Sequence, residues 1–434
     1  MTTQLKNELL FGGRFLFRDN PALTARVAAE LAANEGLAPK ALEHRRQRYL
    51  HASLQRAIEL LPYYAHIPRN FSPEESEQVL REHFPIIDKS TLLEQRSALY
   101  PNGGVKRLWH AAGKTSGTTG TPLTIFRSAR SVVYENEFIK RHWRWGGYRP
   151  GMKRATLRGD LVVPIDQTQP PFWFWNRYNR QLLLSSRHLT DEHADAIIER
   201  LAEYGADMLQ AYPSTAYTLA QYLARRGLKL KIPVIFTASE PVYPHQREAI
   251  LEWLGVRIMD MYGQAERVAF ATECEHGGLH LNSDYSHVEI IDGFVVGTTY
   301  HNEAMPLVRY RLSDQTRYTE AQCPCGRPFP LIAPVTGKFE DSISGSGGKV
   351  ISPSVLTFAF KGVEHIRRSQ VAQVGPAHWE VRLVPEMAFT AADQQKLVRN
   401  IHTLVDPGVR VDVVLRRELM NTAAGKFRWV VNES

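Results

Sequence analysis

The stretch Lys114-Thr115-Ser116-Gly117-Thr118-Thr119-Gly120-Thr121-Pro122 points most directly to chemistry. Its two glycines let the backbone turn tightly and present N–H groups, and the hydroxyls between them add donors without bulk. Amides and hydroxyls gathered in this way cradle an anion such as a triphosphate. The loop is not a Walker loop, which needs a Gly-Lys-Ser/Thr ending before a helix. By composition alone it is equally a Ser/Thr/Gly surface turn. A second group is built on sulfur. Cys274 is followed by His276 and His280, and Cys323-Pro324-Cys325-Gly326 comes later. Three thiols and one imidazole are a standard tetrahedral zinc set, although Cys-x-Cys is tighter than the usual spacing. Either histidine can complete the set, and three reduced, metal-free thiols are the plainer alternative.

The elements that must position these groups alternate between helical and β-prone runs. Residues 20 to 65 carry Leu and Ala at helical spacing up to Pro62. The connector Phe84-Pro85-Ile86-Ile87-Asp88-Lys89-Ser90 opens a helix at Ser90, and Leu123-Thr124-Ile125-Phe126 is a β-prone run after the polar loop. Ser131 to Trp145 returns to helical spacing. Val234 to Thr237 reads as a buried strand, His245 to Leu254 as a helix and Val256 to Met259 as the next strand. This alternation predicts an α/β core. From Asp284 to Tyr318 the pattern is mostly β. The Ser- and Gly-rich stretch Ser342 to Gly348 marks a boundary, dividing the chain into residues 1–336 and a compact β/α/β-like tail, 337–434.

A chain of 434 residues suggests roughly two or three domains. A net charge of +8 points to an anionic substrate or an acidic partner. No nucleic-acid module is recognisable, and Arg45, Arg46 and Arg48 fall on the solvated face of a helical pattern. No run reaches the ~20 apolar residues of a membrane span. Met1 to Phe17 lacks a small-residue cleavage site, so the expected location is cytoplasmic. Three cysteines are too few for a disulfide framework.

Ser116-Gly117-Thr118-Thr119-Gly120-Thr121-Pro122 resembles the phosphate-binding signature of the adenylate-forming (ANL) superfamily. The superfamily's other motifs follow in order. Ala238-Ser239-Glu240-Pro241 resembles its adenine-packing segment and Tyr262-Gly263-Gln264-Ala265-Glu266 its Tyr-Gly-x-x-Glu motif. Arg309-Tyr310-Arg311-Leu312-Ser313-Asp314 is similar to its Tyr-Arg-x-Gly-Asp motif. Gly337-Lys338-Phe339-Glu340-Asp341 is similar to its hinge, and Gly425-Lys426-Phe427-Arg428 to its C-terminal lysine motif. Ala238 to Pro241 resembles the phenylacetate–CoA ligase branch. Arg158-Gly159-Asp160, Ala211-Tyr212-Pro213-Ser214 and Asn302 to Pro306 resemble its capsular-polysaccharide (CapK-type) relatives.

The resemblance implies a large N-terminal multi-sheet α/β domain and a small mobile C-terminal α+β domain, as in acyl-CoA ligases. It implies ATP-dependent conversion of a carboxylic acid, aromatic or fatty, to an acyl-adenylate, then a thioester with coenzyme A or a carrier-protein phosphopantetheine. ATP phosphates would lie against Ser116, Gly117, Thr118, Thr119 and Gly120, and magnesium on Glu266. Ser239, Glu240, Pro241, Tyr262, Gly263 and Gln264 would surround the adenylate, and Asp314 would take the ribose hydroxyls. Lys426 would stabilise charge during adenylation, with Glu266 and Thr119 as further catalytic groups. Glu340 is the hinge. Lys338 stands where relatives carry Arg and loses the bidentate fork, and Ser313 stands where they carry Gly. Tyr134 and Tyr212 are the acid-pocket candidates, beside the aromatic run Pro171 to Asn176 and Tyr217. The resemblance also implies a zinc site on Cys274, Cys323 and Cys325 and selects His280, through Gly278-Leu279-His280, as its fourth ligand. A homodimer is a possible assembly. Two other readings are a nucleotidyl ligase that stops at the adenylate or uses a non-thiol acceptor, and a catalytically inactive subunit of a biosynthetic pathway. Ser313 and Lys338 favour the inactive subunit, while Glu266, Asp314 and Lys426 oppose it.

Overall fold

The computed structural model describes residues 3–107, 110–114, 123–336, 343–351, 353–356, 358–360, 362–363, 365–419 and 428–434. The helical spacing of residues 20 to 65 resolves into two α-helices. Asn20 caps the first, Pro21–Glu35, by accepting from the Ala22 N–H at 3.0 Å, and proline at the first helical position is pre-shaped for the turn. The chain breaks at Gly36 and resumes as Pro39–Leu60. The helix expected from Ser90 starts one residue earlier, at Lys89, because the Asp88 carboxylate caps it at Thr91 N (2.9 Å). Ser128 caps Ala129–Trp145 in the same manner through Ser131 N (3.0 Å).

Strands β1 (Ala111–Lys114) and β2 (Thr124–Arg127) form an antiparallel hairpin in which Lys114 pairs with Thr124. An eight-stranded sheet follows: β3 (Arg154–Arg158), β4 (Trp173–Asn176), β5 (Gln181–Ser185), β6 (Met208–Ala211), β7 (Ile235–Ala238), β8 (Ile258–Gly263), β9 (Phe270–Glu273) and β10 (Leu279–Leu281). Their spatial order is β10-β9-β8-β7-β6-β3-β5-β4. The central run from β5 to β8 is parallel, and antiparallel β4 and β9–β10 close its two edges. Strand β8 starts two residues later than its sequence pattern suggests and continues through Gly263, which carries Tyr262 to the strand's end.

Helices Ala194–Tyr204, Pro213–Arg226 and Pro244–Leu254 cross between the parallel strands and bury Ile197, Leu219 and Ile250 against Leu209 and Ile235. Helix Ala129–Trp145 covers the other face, where Trp143 and Trp145 meet Phe236 and Met259. A buried polar knot anchors that helix. Arg141 makes two bonds to Asp284 (2.7 and 2.9 Å) and one to Asn282 (2.5 Å), and Asn34 donates to Asp284 at 2.8 Å. A three-stranded antiparallel sheet, β11 (Ser286–Ile291), β12 (Phe294–Thr299) and β13 (Tyr310–Gln315), accounts for the β-rich stretch after Asp284.

From Ile343 the chain builds a separate core. A short hairpin, β14 (Ile343–Ser344) with β15 (Val350–Ile351), precedes β16 (Ile366–Gly375), β17 (His378–Pro385), β18 (Arg410–Leu415) and β19 (Val430–Asn432), ordered β18-β17-β16-β19. Trp379 and Trp429 are fully buried at its centre. Tyr212 packs into this cluster from the larger body. The Arg187 guanidinium donates to the Leu404 carbonyl (2.5 Å) and to the Gly159 carbonyl (2.6 Å). Among the described residues no helix is long and apolar enough to cross a membrane.

Candidate active site and thiol cluster

Parallel strands deliver their following loops to one edge of a sheet, where ligands of open α/β folds bind. Here the carboxyl ends of β7 and β8, which are neighbours, lead into Ser239-Glu240-Pro241 and into Gln264-Ala265-Glu266. Ser239 turns the chain off β7 with a left-handed φ of 75°, strained for a residue with a side chain. The Glu240 carboxylate accepts from Ser214 N (3.1 Å) at the start of helix Pro213–Arg226, where unpaired amides favour an anion. Pro241 and Gly263 are exposed. Gln264 turns its amide onto the Ala269 backbone, donating at 2.6 Å and accepting at 3.2 Å.

The Tyr262 hydroxyl donates to Asp314 Oδ2 at 2.8 Å, joining β8 to β13. Burial, then the Asp314 charge, then Glu266, hold the Tyr262 phenol well above its usual pKa, so it remains a donor. Strand β13 alternates: Tyr310, Leu312 and Asp314 face inward, while Arg311 and Ser313 are exposed. Ser313 therefore sits in ordinary strand backbone that does not need a glycine. The motif is held from behind by Arg309, which makes a two-pronged pair with Glu289 (3.0 and 3.1 Å). Backbone bonds join Ile87 to Arg309 and Arg311.

The hairpin that flanks the Ser/Thr/Gly loop is tied to the same place. Arg127 donates to the Ala265 carbonyl at 2.7 Å, one residue before Glu266. Its guanidinium crosses Gly113, where a Cβ would lie 2.2 Å from Arg127 Cζ, so a side chain there would have to displace the guanidinium. Ser116, Gly117, Thr118, Thr119, Gly120, Lys338, Glu340 and Lys426 lie outside the described residues. The chain just beyond Lys426 is fixed, with Trp429 Nε1 donating to Ser369 Oγ (3.1 Å) and Val430 entering β19.

Cys274, His280, Cys323 and Cys325 converge, with all four donor atoms within 4.8 Å of one another. His276 is exposed and outside the group. Cys274 Sγ lies 3.5 Å from Cys323 Sγ, and Cys325 Sγ lies 3.2 Å from His280 Nε2. A tetrahedral zinc with arms of about 2.0–2.3 Å has edges of roughly 3.3–3.8 Å, and these two distances lie close to that range, so the donor set suits that ion. His280 Nδ1 lies 2.9 Å from the Phe329 carbonyl, which fixes the tautomer that leaves Nε2 as a lone-pair donor. A Cβ at Gly278 would lie 3.0 Å from Cys323 Sγ, so close closure needs the glycine.

The pocket tyrosines are not neighbours. Tyr134 is buried beside helix Pro21–Glu35, stacked on His301 with centroids 3.9 Å apart and donating to Glu30 at 2.9 Å. Tyr212 lies in the cluster shared with the C-terminal core. The aromatic run disperses along edge strand β4: Phe172 stacks on His188 and His193, Phe174 packs on Phe11, and Trp175 is exposed. Tyr217 meets His245. A small void of about 10 Å³, room for about one water, lies at the carboxyl ends of β3, β6, β7 and β8, among His142, Arg158, Gln210, Phe236, Thr237 and Met261. Sequence reasoning passed over Arg127 and Asp260. Asp260 had a signal, a carboxylate within an otherwise apolar strand. Burial, reinforced by the Glu273 charge and opposed by the Thr237 hydroxyl at 2.6 Å, pushes it up to about 7.

The CapK C-terminal domain family matches residues 343–433. The chain is 24% identical over 338 residues to Protein CapK of Staphylococcus aureus, covering 73% of each. It is 26% identical over 278 residues to a phenylacetate-coenzyme A ligase of Thermus thermophilus, covering 56% of this chain and 57% of that one. The matched stretch is thus little more than half of that relative. Among solved structures, 2-hydroxyisobutyryl-CoA ligase, in complex with 2-HIB-AMP and CoA in the thioesterification state, superposes with a TM-score of 0.57. The match covers 92% of both chains at 18% identity, a likeness of fold. The chain thus carries a CapK-type C-terminal domain, is similar in sequence to CapK and to phenylacetate-coenzyme A ligases, and shares the fold of an acyl-CoA ligase.

Proposed function

We propose that the chain is an AMP-forming acid–thiol ligase. A carboxylate oxygen of the acid attacks the α-phosphorus of ATP and pyrophosphate leaves, giving the acyl-adenylate. A thiol sulfur then attacks the acyl carbon, the thiol proton is lost to solvent, and AMP leaves. The observation that carries this reading is the Tyr262–Asp314 bond at the carboxyl edge of the sheet, beside Glu266 and under the hairpin strut. It sets a neutral donor and two carboxylates where a nucleotide's hydroxyls and its metal would be received.

In this reading the amides and hydroxyls of Ser116 to Gly120 hold the phosphates, and Asp314 takes the ribose hydroxyls. Glu266 holds magnesium, which supplies charge neutralisation at the phosphates. Lys426 stabilises charge at the reacting carboxylate, and Lys338 and Glu340 lie at the hinge between two domain orientations. The acceptor is coenzyme A or a carrier-protein phosphopantetheine. Zinc on Cys274, His280, Cys323 and Cys325 fastens β9 and β10 to the 323–325 turn and takes no part in the reaction.

Acid-dependent ATP–pyrophosphate exchange across a panel of carboxylic acids, followed by thioester analysis with coenzyme A or a phosphopantetheinylated carrier, tests this. Exchange with at least one acid and a thioester product are expected. Adenylate or AMP without thioester would turn the reading to a nucleotidyl ligase, and absence of exchange with every acid would leave the inactive-subunit reading.

A further inference from the structure

Helix Thr3–Arg14 and the π-helical turn Phe15–Asp19 that continues it lead into helix Pro21–Glu35. A helix at the edge of a body turns one apolar stripe inward and keeps its outer face polar. This one is apolar on both sides. Its inner row is Asn7 and Phe11, both buried, with Asn7 donating to the Val162 carbonyl at 2.8 Å and Phe11 stacked on Phe174. Leu5, Leu9 and Leu16 fall on the outer side at helical spacing, with Leu10 and Phe17 in the row beside them. All five are about half exposed or more, as is Leu23 at the start of helix Pro21–Glu35, and Phe17 is 78% exposed. Elsewhere among the described residues, exposed large apolar side chains come singly along the sequence, as on any soluble surface. Six gathered between Leu5 and Leu23 form a patch of the kind that marks a docking surface.

Charge decides what covers it. Residues 3–29 carry Lys6, Arg14, Arg18 and Arg26 against Glu8 and Asp19. The turn beside them, which stacks Tyr178 on Phe15, adds Arg177 and Arg180. These two short segments hold six basic residues against two acidic ones, a net charge of +4 and half of the +8 of the whole chain. Both acids are already matched, Asp19 by Arg18 at 2.8 Å and Glu8 by Arg177 at 3.6 Å. Lys6 and Arg26 lie exposed beside the outward leucines, where a long basic side chain passes along apolar contacts and keeps its charge at the polar boundary. A second copy set face to face would bring the cationic surplus against itself. An anionic bilayer meets the leucines with hydrocarbon and the cations with phosphate. We propose that this face docks on an anionic lipid surface, with Leu5, Leu9, Leu16 and Phe17 at the boundary of headgroups and acyl chains and Lys6 and Arg26 at the phosphates. The helix lies on the bilayer and does not cross it, having 12 residues where a span needs about 20.

The test is co-sedimentation of the full chain with vesicles, comparing phosphatidylcholine alone with equimolar phosphatidylcholine and phosphatidylglycerol, alongside sedimentation equilibrium without lipid. Wild type should partition at least about 10-fold more strongly onto the anionic vesicles, and less as salt rises. The pair Leu9→Ser with Phe17→Ser should lower that partition by about 10- to 100-fold. Lys6→Gln with Arg26→Gln should lower it by about 5-fold for each charge removed and leave binding to neutral vesicles unchanged. Each variant is checked by thermal melting, with no large shift expected for exposed side chains. Failure of wild type to bind anionic vesicles at low salt would overturn the proposal, as would unaltered binding by the Leu9→Ser, Phe17→Ser protein. A wild-type dimer that those two substitutions convert to a monomer, with no binding to vesicles, would assign the face to a second copy. If the Leu9→Ser, Phe17→Ser protein does not fold, Lys6→Gln with Arg26→Gln and the salt dependence of wild type decide the matter.

Discussion

Both bodies of the chain bury apolar cores and carry polar ties, but the ties of the larger one reach the candidate site. Before Ile343 the larger body is fastened by polar ties that span great sequence distances: Arg141 to Asp284, Tyr262 to Asp314, Arg127 to Ala265 and Glu240 to Ser214. After Ile343 the smaller body is centred on two buried tryptophans and an aliphatic shell, with a capping box at Thr390 and Asp393 starting its long helix. The named links between them are the Arg187 bond to Leu404, the Arg187 stack on Phe358 and the Tyr212 contact. Apolar cores hold a body together without constraining what lies outside it. Directional ties fix particular atoms. The ties of the first body thus position the candidate site, while the core of the second holds that body together.

The comparison breaks first at Arg141. Arg141→Ala leaves Asp284 buried without its cation and should destabilise the larger body by about 3–5 kcal/mol in denaturant titration. The sign of its pH dependence is fixed. Burial alone would raise the Asp284 pKa, but the Arg141 charge and the bonds from Arg141 and Asn34 outweigh it and hold the group below its usual value. That stabilisation is complete above the unfolded pKa of about 3.9 and is lost as pH falls through the lower folded value. The deficit of the variant should therefore be greatest near neutral pH and shrink in acid.

Lys426→Ala probes the second body. It should lower acid-dependent exchange by about 10²–10³-fold without shifting the melting temperature. Retained exchange would remove the lysine from the reaction. Cys323→Ser should abolish a stoichiometric zinc found by elemental analysis in the wild type and lower the melting temperature, with the KM of ATP unchanged. Absence of zinc in wild type prepared without chelator would end that claim. Smallest is Tyr262→Phe, which takes one donor from Asp314. It should cost about 1–3 kcal/mol, read as a raised KM for ATP rather than a lowered melting temperature.

Much of this was legible in the chain. Local patterns placed helix Ala129–Trp145 almost to the residue, because Ser128 is an ordinary cap and the apolar spacing is regular. They also marked the strand around Ile235. Boundaries slipped where a side chain outranked the pattern, as when Asp88 rather than Ser90 started a helix. The cysteines and His280 were readable because their chemistry is rare, and the structure brings them together from two distant segments. The Arg127 strut was not readable, since its acceptor is a backbone carbonyl 138 residues away. Tyr134 and Tyr212 are a different case. Their residue type suited a pocket, yet tertiary packing set them in separate clusters.

The crossing of Arg127 over Gly113 also limits how the hairpin can vary. A single methyl group at residue 113 would compete for the space through which the guanidinium reaches Ala265. The stem of the hairpin can therefore gain a side chain on that side only by displacing the guanidinium and its bond to Ala265.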